Sequence, residues 1–310
     1  MRGVWKRNYG KGTRAPPDER GGNRQTGPNV IAPYLYATNM FYTREFIENV
    51  LNVSELPDYL YHYTSIETLA HILSGRKLRF ARLDTVNDPD EARTTDMEQA
   101  STLVFVSCWT AEDKELLAMW KIYAPDMQGV RLRFPSNLFL GRKRAQIVEE
   151  GGAVMFIDES VDIHRKPPAP NAPTRSLYGP NKVLYTDDIN YLIPNCIYEH
   201  DGFTQVILHD LGKAKNPYWS FEAEWRFMLY AIPYEIRMAH DSPTREIILD
   251  LESYPVIEND YFLGMDRTAI EEMTIRLGPR ITLAQRLIVE ALRDKYCPSV
   301  KIEESALRVR

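Results

Sequence analysis

Short strand-like segments recur from Tyr59 to the C-terminal end of the chain and alternate irregularly with helix-like ones. Strands are predicted where apolar and polar residues alternate, or where a short apolar run is rich in β-branched and aromatic residues. The segments that fit are 59–63, 78–83, 103–109, 129–134, 182–185, 219–230, 246–250, 273–278 and 300–309. No linker divides residues 31–310, so the pattern predicts a single α+β domain there, with a mixed, mostly antiparallel β-sheet core and flanking helices.

Helical spacing of apolar residues predicts helices between these strands. They cover residues 43–51, a second helix capped by Thr64 or Ser65 and stopped by Gly75, a segment that begins with a capping-box spacing at 110–113, a mixed helical stretch up to about residue 211, and 282–294. Gly75 is expected to follow the second helix in the left-handed conformation. Five prolines within 165–180 predict an exposed loop.

Charge is distributed unevenly along the chain. Residues 1–30 hold seven Lys or Arg and two Asp or Glu, so this segment carries +5 and the remainder carries −10 of the total −5. Because it is glycine-rich and has little apolar spacing, the segment 1–30 is predicted to be a basic, disordered extension. The acidic remainder of the chain is poorly suited to binding nucleic-acid phosphates. The basic extension could make such contacts instead.

Missing sequence features exclude several classes of protein. No apolar run approaches the ~18 residues of a membrane span, and the basic N-terminus lacks the apolar region of a secretory signal. Three separated cysteines fit a reducing compartment, so we expect a cytoplasmic protein that does not associate with membranes. The phosphate-loop, dinucleotide, zinc-protease and nucleophile-elbow motifs are missing, and no histidine pair has metal-ligand spacing, so no metal is expected.

The first candidate for chemistry is the segment 61–65, Tyr-His-Tyr-Thr-Ser. His62 lies among aromatic residues at the end of a predicted strand, and Thr64 and Ser65 begin the next helix. Backbone N–H groups at such a junction can hold an anion. A half-buried core histidine followed by capping hydroxyls would explain the same residues.

The second candidate is the segment 119–124, Met-Trp-Lys-Ile-Tyr-Ala, which is followed by the predicted strand 129–134. Trp120 and Tyr123 lie three residues apart and therefore share one helix face. The two rings could stack on a planar ligand, or they could form part of the core.

The third candidate lies in the predicted strand 219–230. Strand alternation places Glu222 and Glu224 on one face, where repulsion between the two carboxylates raises the pKa of one unless a cation compensates. Arg226 continues the same face and is the candidate cation. This face either lines a cleft or is the solvated side of an edge strand.

Taken together, these segments resemble the bacterial domain-of-unknown-function family 2971, over about residues 58–310. The residues that carry the resemblance are Tyr61-His-Tyr-Thr-Ser, Asn87-Asp-Pro-Asp-Glu, Val106-Ser-Cys-Trp, Met119-Trp-Lys-Ile-Tyr-Ala with Gly129-Val, and Trp219-Ser-Phe-Glu-Ala-Glu-Trp-Arg. Further family-motif positions are Asn87, Asp88, Glu91, Ser107 and Trp219.

The order of these residues is more distantly similar to that of the ADP-ribosyltransferase superfamily. Its members use a His or Arg on an early strand, an aromatic residue or Ser on a middle element, and a late Glu, often in an ExE pair. The similarity implies that His62 is the first element, Glu224 the catalytic Glu and Glu222 the first Glu of the pair. The middle position is open to Tyr63, Ser107 or Tyr123. Three family positions have no counterpart in that superfamily: Asn87, Asp88 and Glu91.

This similarity implies an NAD-dependent ADP-ribosyltransferase or NAD hydrolase of a toxin or phage-defence type, with NAD as substrate. A carboxylate that hydrogen-bonds the ribose 2′-OH interacts more strongly as positive charge develops in an oxocarbenium-like transition state. The residues expected to bind NAD are His62, Tyr63, Thr64, Ser65, Arg82, Trp120, Tyr123 and Arg226. The acceptor stays open between protein, nucleic acid, a small molecule and water.

Two other functions are compatible with the same residues. A non-catalytic nucleotide- or protein-binding module of a defence or stress system would use the cleft as a sensor, and it would depend on the aromatic residues rather than on the carboxylates. A nucleic-acid-acting effector would bind through residues 1–30, with a strong dependence on salt.

Overall fold

The computed structural model describes residues 56–139, 146–150, 153–157, 174–200, 203–232, 235–238, 245–248 and 255–309. The strands are β1 (Tyr59–Thr64), β2 (Lys77–Arg82), β3 (Val104–Thr110), β4 (Val130–Pro135), β5 (Gln146–Glu150), β6 (Ala153–Ile157), β7 (Thr174–Lys182), β8 (Leu184–Tyr185), β9 (Ile197–His200), β10 (Phe203–Val206), β11 (Ala214–Lys215), β12 (Glu224–Ile232), β13 (Glu235–Met238), β14 (Arg245–Ile248), β15 (Asp260–Gly264), β16 (Thr274–Leu277) and β17 (Lys301–Glu303). The α-helices are α1 (Ile66–Gly75), α2 (Leu117–Tyr123), α3 (Ile189–Leu192), α4 (Arg267–Glu271) and α5 (Leu283–Tyr296). Short 3₁₀ helices cover Leu83–Thr85, Pro89–Ala92, Glu98–Leu103, Pro125–Met127 and Pro217–Glu222.

One large sheet organises the described residues. Nine of the described strands belong to it, along the path β15-β2-β3-β1-β4-β16-β17, with β12 paired to β3 and β7 paired to β12. The ladders are antiparallel except the one between β16 and β17, which is parallel. Two-stranded pairs form between β5 and β6, β8 and β11, β9 and β10, and β13 and β14. The predicted α+β class with a mostly antiparallel sheet is confirmed.

The main hydrophobic core joins inward-facing strand residues to helices α1 and α5. Phe80, Phe134 and Phe227 are fully buried in it. Burial of a side chain of this size stabilises the fold by roughly 1.5–3 kcal/mol. Helix α1 contributes Leu69, Ile72 and Leu73, and α5, which packs against α1, contributes Val289.

The helix ends follow local sequence signals. Ser65 caps α1, because its hydroxyl accepts a hydrogen bond from the N–H of Thr68 at 3.0 Å. Thr282 and Gln285 form a complete capping box at α5. The prediction for Gly75 is wrong by one position: Gly75 is the last residue of α1, and the left-handed residue after it is Arg76, with φ 49°.

The pairing of β3 leaves a gap in the sheet. Strand β12 lies along one edge of β3 from Val104 to Thr110. On the opposite edge, β2 pairs with residues 105–106 and β1 pairs with residue 110. Within the described residues, no ladder partner is paired with residues 107–109 on that edge. We call this stretch the β3 gap, and it determines where the candidate site lies.

Four predicted elements differ from the structure. The predicted strand 219–230 is a 3₁₀ helix up to Glu222 and a strand from Glu224. The capping-box spacing at 110–113 does not begin a helix, since α2 begins at Leu117. In the predicted loop 165–180, residues 174–180 belong to strand β7. The stretch predicted as helical up to residue 211 contains a single turn, α3, and strands β9 and β10.

Two of these differences, at 174–180 and in β9 and β10, have the same physical cause: tertiary pairing overrides local propensity in short segments. Strand β15, at the edge of the sheet, was not predicted. The predicted extension 1–30 and the predicted helix 43–51 lie outside the described residues.

Candidate functional site

A cavity of about 220 Å³ lies beside the β3 gap. Its aromatic side is formed by Tyr61, His62, Tyr63, Trp109 and Tyr123. Its charged side is formed by Lys215, Glu222, Glu224 and Arg226, and its lining also includes Arg79 and Asn87. The structure therefore brings His62 of β1 and both glutamates of the 222–226 segment into one cavity.

His62 occupies the β3 gap. Its ring Nδ1 lies 3.0 Å from the backbone carbonyl oxygen of Cys108, and its ring centroid lies 5.0 Å from that of Trp109. Because a carbonyl only accepts, Nδ1 carries the proton in this contact, and burial lowers the pKa of the imidazole below its usual value. A neutral ring with Nδ1 protonated leaves Nε2 as a hydrogen-bond acceptor for a ligand hydroxyl.

Glu222 and Glu224 reach the cavity by a route that differs from strand alternation. Glu222 ends a 3₁₀ helix, Ala223 adopts a left-handed conformation with φ 45°, and Glu224 begins β12. A left-handed alanine is uncommon and must be held by its surroundings. This turn brings both carboxylates to one lysine, Lys215 of β11.

A buried network of ions forms the charged side of the cavity. Lys215 Nζ lies 2.7 Å from Glu222 Oε2, 3.3 Å from Glu224 Oε2 and 3.2 Å from Glu91 Oε1. Arg226 donates to Glu224 from Nε at 2.6 Å and from Nη2 at 2.9 Å, and its Nη1 donates to Glu91. All five side chains are less than 5% exposed. Arg226 was predicted to neutralise Glu222 and Glu224. In the structure it pairs with Glu224 and Glu91, and Lys215 pairs with Glu222.

The network shifts the pKa values of Glu222 and Glu224 in opposite directions. Burial alone would raise the pKa of Glu224, but the adjacent Arg226 and Lys215 outweigh it and lower that pKa to about 2. Burial and the negative charge of Glu224 raise the pKa of Glu222. Three carboxylates face two cations, so the network has a net charge of −1 unless one carboxyl group is protonated. Of Glu222 and Glu224, Glu222 is the one whose protonated form these surroundings favour.

Tyr123 connects Glu222 to the exposed Asn87. The Tyr123 hydroxyl donates to Glu222 Oε1, and it accepts a hydrogen bond from Asn87 Nδ2 at 3.2 Å. Burial and the hydrogen bond to Glu222 raise the pKa of Tyr123. The backbone N–H of Glu224 donates to the Tyr185 hydroxyl at 2.9 Å. Tyr123 thus holds the Glu222 carboxylate, and Tyr185 holds the backbone at the start of β12.

Several predicted site residues lie outside the cavity lining. Thr64 is buried and Ser65 caps α1, whereas Arg82 donates to Asp84 at 2.7 Å. Trp120 is fully buried in a small second core, with its ring 4.9 Å from that of Tyr63, and its indole N–H donates to Glu115. Trp120 is therefore a core residue and not a stacking surface for a cavity ligand.

The remaining family-motif positions support the site. Asp88 caps the 3₁₀ helix that carries Glu91, and the Ser107 hydroxyl accepts from the Trp109 indole N–H at 3.0 Å. Lys215 Nζ lies 4.6 Å from the centre of the Trp219 ring.

Four residues that line the cavity were not predicted as binding residues from the sequence: Tyr61, Arg79, Trp109 and Lys215. Lys215 belongs to a two-residue strand before a proline turn, and no periodic pattern marks it. The position of Arg79 could have been predicted, because it alternates with the buried Leu78 and Phe80 on β2 and therefore lies on the opposite face of the sheet.

Among the described residues, no group of three or more His, Cys, Asp or Glu side chains is arranged to hold a metal ion. None of their helices combines the length and the apolar character needed to cross a membrane. Cys108, Cys196 and Cys297 are free thiols.

No curated protein and no solved structure matches the chain. One segment, which runs from within α2 to the first residues of β12, does match a family model. It contains Tyr123, Lys215, Glu222, Glu224 and Arg226. Residues 119–227 match the model of a family described as a protein of unknown function (DUF2971).

Proposed function

We propose that the cavity binds a nucleotide-type molecule with a positively charged ring, and that the protein breaks the nicotinamide–ribose bond of NAD as an ADP-ribosyltransferase or NAD hydrolase. The observation that carries the proposal is the combination, in one cavity, of aromatic walls with a buried network of three carboxylates and two cations. The aromatic side offers ring faces, and the charged side offers excess negative charge.

The charge of the network favours a cationic ligand. An uncompensated buried negative charge is costly, and it is relieved by protonation or by a positive group. The nicotinamide ring of NAD is positively charged and planar, so it matches both sides of the cavity. A cationic ring bound beside the network would favour the ionised form of the Glu222 carboxyl group, which the reaction requires.

An ionised Glu222 has the chemistry that bond cleavage needs. The nicotinamide–ribose bond breaks through an oxocarbenium-like transition state, in which a carboxylate hydrogen-bonded to the ribose 2′-OH interacts more strongly than in the ground state. Glu224 Oε2 accepts from both Arg226 and Lys215, whereas each oxygen of Glu222 accepts one hydrogen bond, Oε1 from Tyr123 and Oε2 from Lys215. A carboxylate oxygen with one hydrogen bond keeps a second lone pair for a ligand hydroxyl. We therefore assign the contact with the ribose to Glu222. Glu224 holds Lys215 and Arg226 in position, which differs from the roles implied by the superfamily resemblance.

The aromatic side supplies the remaining contacts. Tyr61, Tyr63 and Trp109 provide ring faces for nicotinamide, and the neutral His62 provides Nε2 as an acceptor for a ribose hydroxyl. No metal takes part in this scheme.

The test is nicotinamide release from NAD by the purified protein. Glu222→Gln keeps the shape of the side chain and is expected to reduce the rate by at least about 100-fold, the usual effect of removing one group that stabilises transition-state charge. Glu271→Gln is the matched control: Glu271 pairs with Arg267 on α4, outside the cavity lining, and its loss should leave the rate unchanged.

Comparison with and without cell lysate separates the two reactions. Release without label transfer indicates hydrolysis, whereas transfer of labelled ADP-ribose to a lysate component indicates a transferase. Absence of nicotinamide release under both conditions, or a Glu222→Gln protein as active as the Glu271→Gln control, would overturn the proposed reaction.

A second candidate, a non-catalytic nucleotide-binding module, is favoured by one observation: both oxygens of Glu224 are occupied by Arg226. In that case NAD or a related nucleotide would bind without turnover. Glu222→Gln and Glu224→Gln would then leave binding intact, and Tyr123→Ala would weaken it. A binding titration combined with the release assay distinguishes the two functions.

A further inference from the structure

Strand β2 presents a cation to the cavity. Leu78 and Phe80 are buried in the core, and Arg79, which alternates with them, lines the cavity. Arg79 Nε donates to Asp260 Oδ1 at 2.6 Å, and 58% of the Arg79 side chain is exposed. An exposed ion pair of this kind contributes little to stability, so the guanidinium can exchange Asp260 for another anion.

The other cations of the cavity lining are already engaged. Lys215 and Arg226 are each bonded to two or three buried carboxylates. A phosphate placed beside them would meet the excess negative charge of Glu91, Glu222 and Glu224. Phosphates of a bound nucleotide are therefore expected at Arg79, whose planar fork suits bidentate binding of phosphate oxygens.

An exposed aromatic residue lies next to Arg79. Phe262 of β15 is the register partner of Arg79, so the two side chains share one face of the sheet. Phe262 is 55% exposed, so its ring is accessible to a ligand held by Arg79. Exposed aromatic rings stack on nucleic-acid bases with little preference for the base.

We infer that Arg79, at the exposed edge of the cavity, and its neighbour Phe262 form a second subsite, which binds the phosphates and the second base of a dinucleotide whose first ring lies deeper in the cavity. The inference rests on the proposed function, and it assigns residues to the part of NAD that the nicotinamide site leaves unbound. It also replaces Arg82, which is bonded to Asp84 and the Glu258 carbonyl, as the phosphate-binding cation.

The test compares three ligands: NAD, nicotinamide mononucleotide and nicotinamide riboside. Binding is followed by tryptophan fluorescence within seconds, before NAD is consumed, since Trp109 lines the cavity. Arg79→Gln should weaken NAD and the mononucleotide about tenfold and leave the riboside unchanged, in line with loss of a bidentate phosphate contact. Phe262→Ala should weaken NAD at least about fivefold and leave the other two ligands unchanged.

Two matched controls use exposed residues outside the cavity lining. Arg267→Gln makes the same change as Arg79→Gln at another place on the surface, and Ile257→Ala truncates another exposed apolar side chain. Neither should alter any affinity. Arg79→Lys keeps the charge without the planar fork and should recover part of the phosphate-dependent affinity.

The possible outcomes separate the subsite from the reaction. If wild-type protein binds NAD no more tightly than the mononucleotide and Phe262→Ala changes neither affinity, the second subsite is refuted while the proposed reaction stands. Equal losses for all three ligands in Arg79→Gln would also refute it, because that pattern indicates a general structural effect. A wild-type protein that binds none of the three ligands would overturn both the subsite and the proposed function.

Discussion

Arg226 provides the sharpest test of the buried ion network. It makes two hydrogen bonds to Glu224, one to Glu91 and one of 2.8 Å to the Gly212 carbonyl, and it is 1% exposed. Arg226→Met keeps much of the side-chain volume and removes the positive charge. The network then has three carboxylates and one lysine, so its net charge changes from −1 to −2.

The magnitude follows from the burial of the carboxylates left behind. Removal of one partner from a buried ion pair typically destabilises a protein by about 3–5 kcal/mol. At 1.4 kcal/mol for each factor of ten, the folding equilibrium should fall by roughly two to three and a half orders of magnitude. The assay is urea unfolding followed by tryptophan fluorescence, with Arg267→Met on the exposed surface of α4 as a control that should not shift the transition.

A double variant distinguishes charge imbalance from loss of packing. Arg226→Met combined with Glu224→Gln returns the net charge of the network to −1 and should recover a substantial part of the lost stability, even if the single variant does not fold. An Arg226→Met protein within about 1 kcal/mol of wild type would refute the argument, since it would show that the buried carboxylates need no second cation.

Three further predictions concern the same region. The pKa of Glu224 is lowered to about 2 in the folded state, so its contribution to stability is present above the unfolded value near 4.5 and is lost as the pH falls toward 2. Glu224→Gln should therefore reduce the fall in the free energy of unfolding between pH 4.5 and pH 2, as measured by urea unfolding at each pH. Tyr123→Phe removes a hydrogen bond that lowers the pKa of Glu222, so the pH profile of nicotinamide release should shift to higher pH, and an unchanged profile would argue against Glu222 as the titrating group. Gly129→Ala places a Cβ 2.1 Å from a backbone oxygen and should lower the melting temperature, with a cost of at least about 1–3 kcal/mol, whereas the control Gly75→Ala meets no atom within 4 Å and should be neutral or stabilising.

Much of the fold could be predicted because its signals are local. Residues close together in the sequence determine the alternation of β2 and β4, the cap of α1 at Ser65 and the extent of α5. The pairing of Glu224 with Arg226 is also local, since residues two apart on a strand share one face.

The rest of the site depends on contacts between distant segments. Lys215 meets Glu91 across more than a hundred residues, and His62 reaches Cys108 because β1 and β2 share one edge of β3 and leave a gap between them. The sequence by itself determined the α+β class, the strands with clear alternation such as β2 and β4, and which residues bear charge. The tertiary structure alone decided that Glu222 turns inward through a left-handed Ala223 and that Arg79, rather than Arg82, faces the cavity, because strand register and the closure of loops are set by long-range pairing and not by the residues next in the chain.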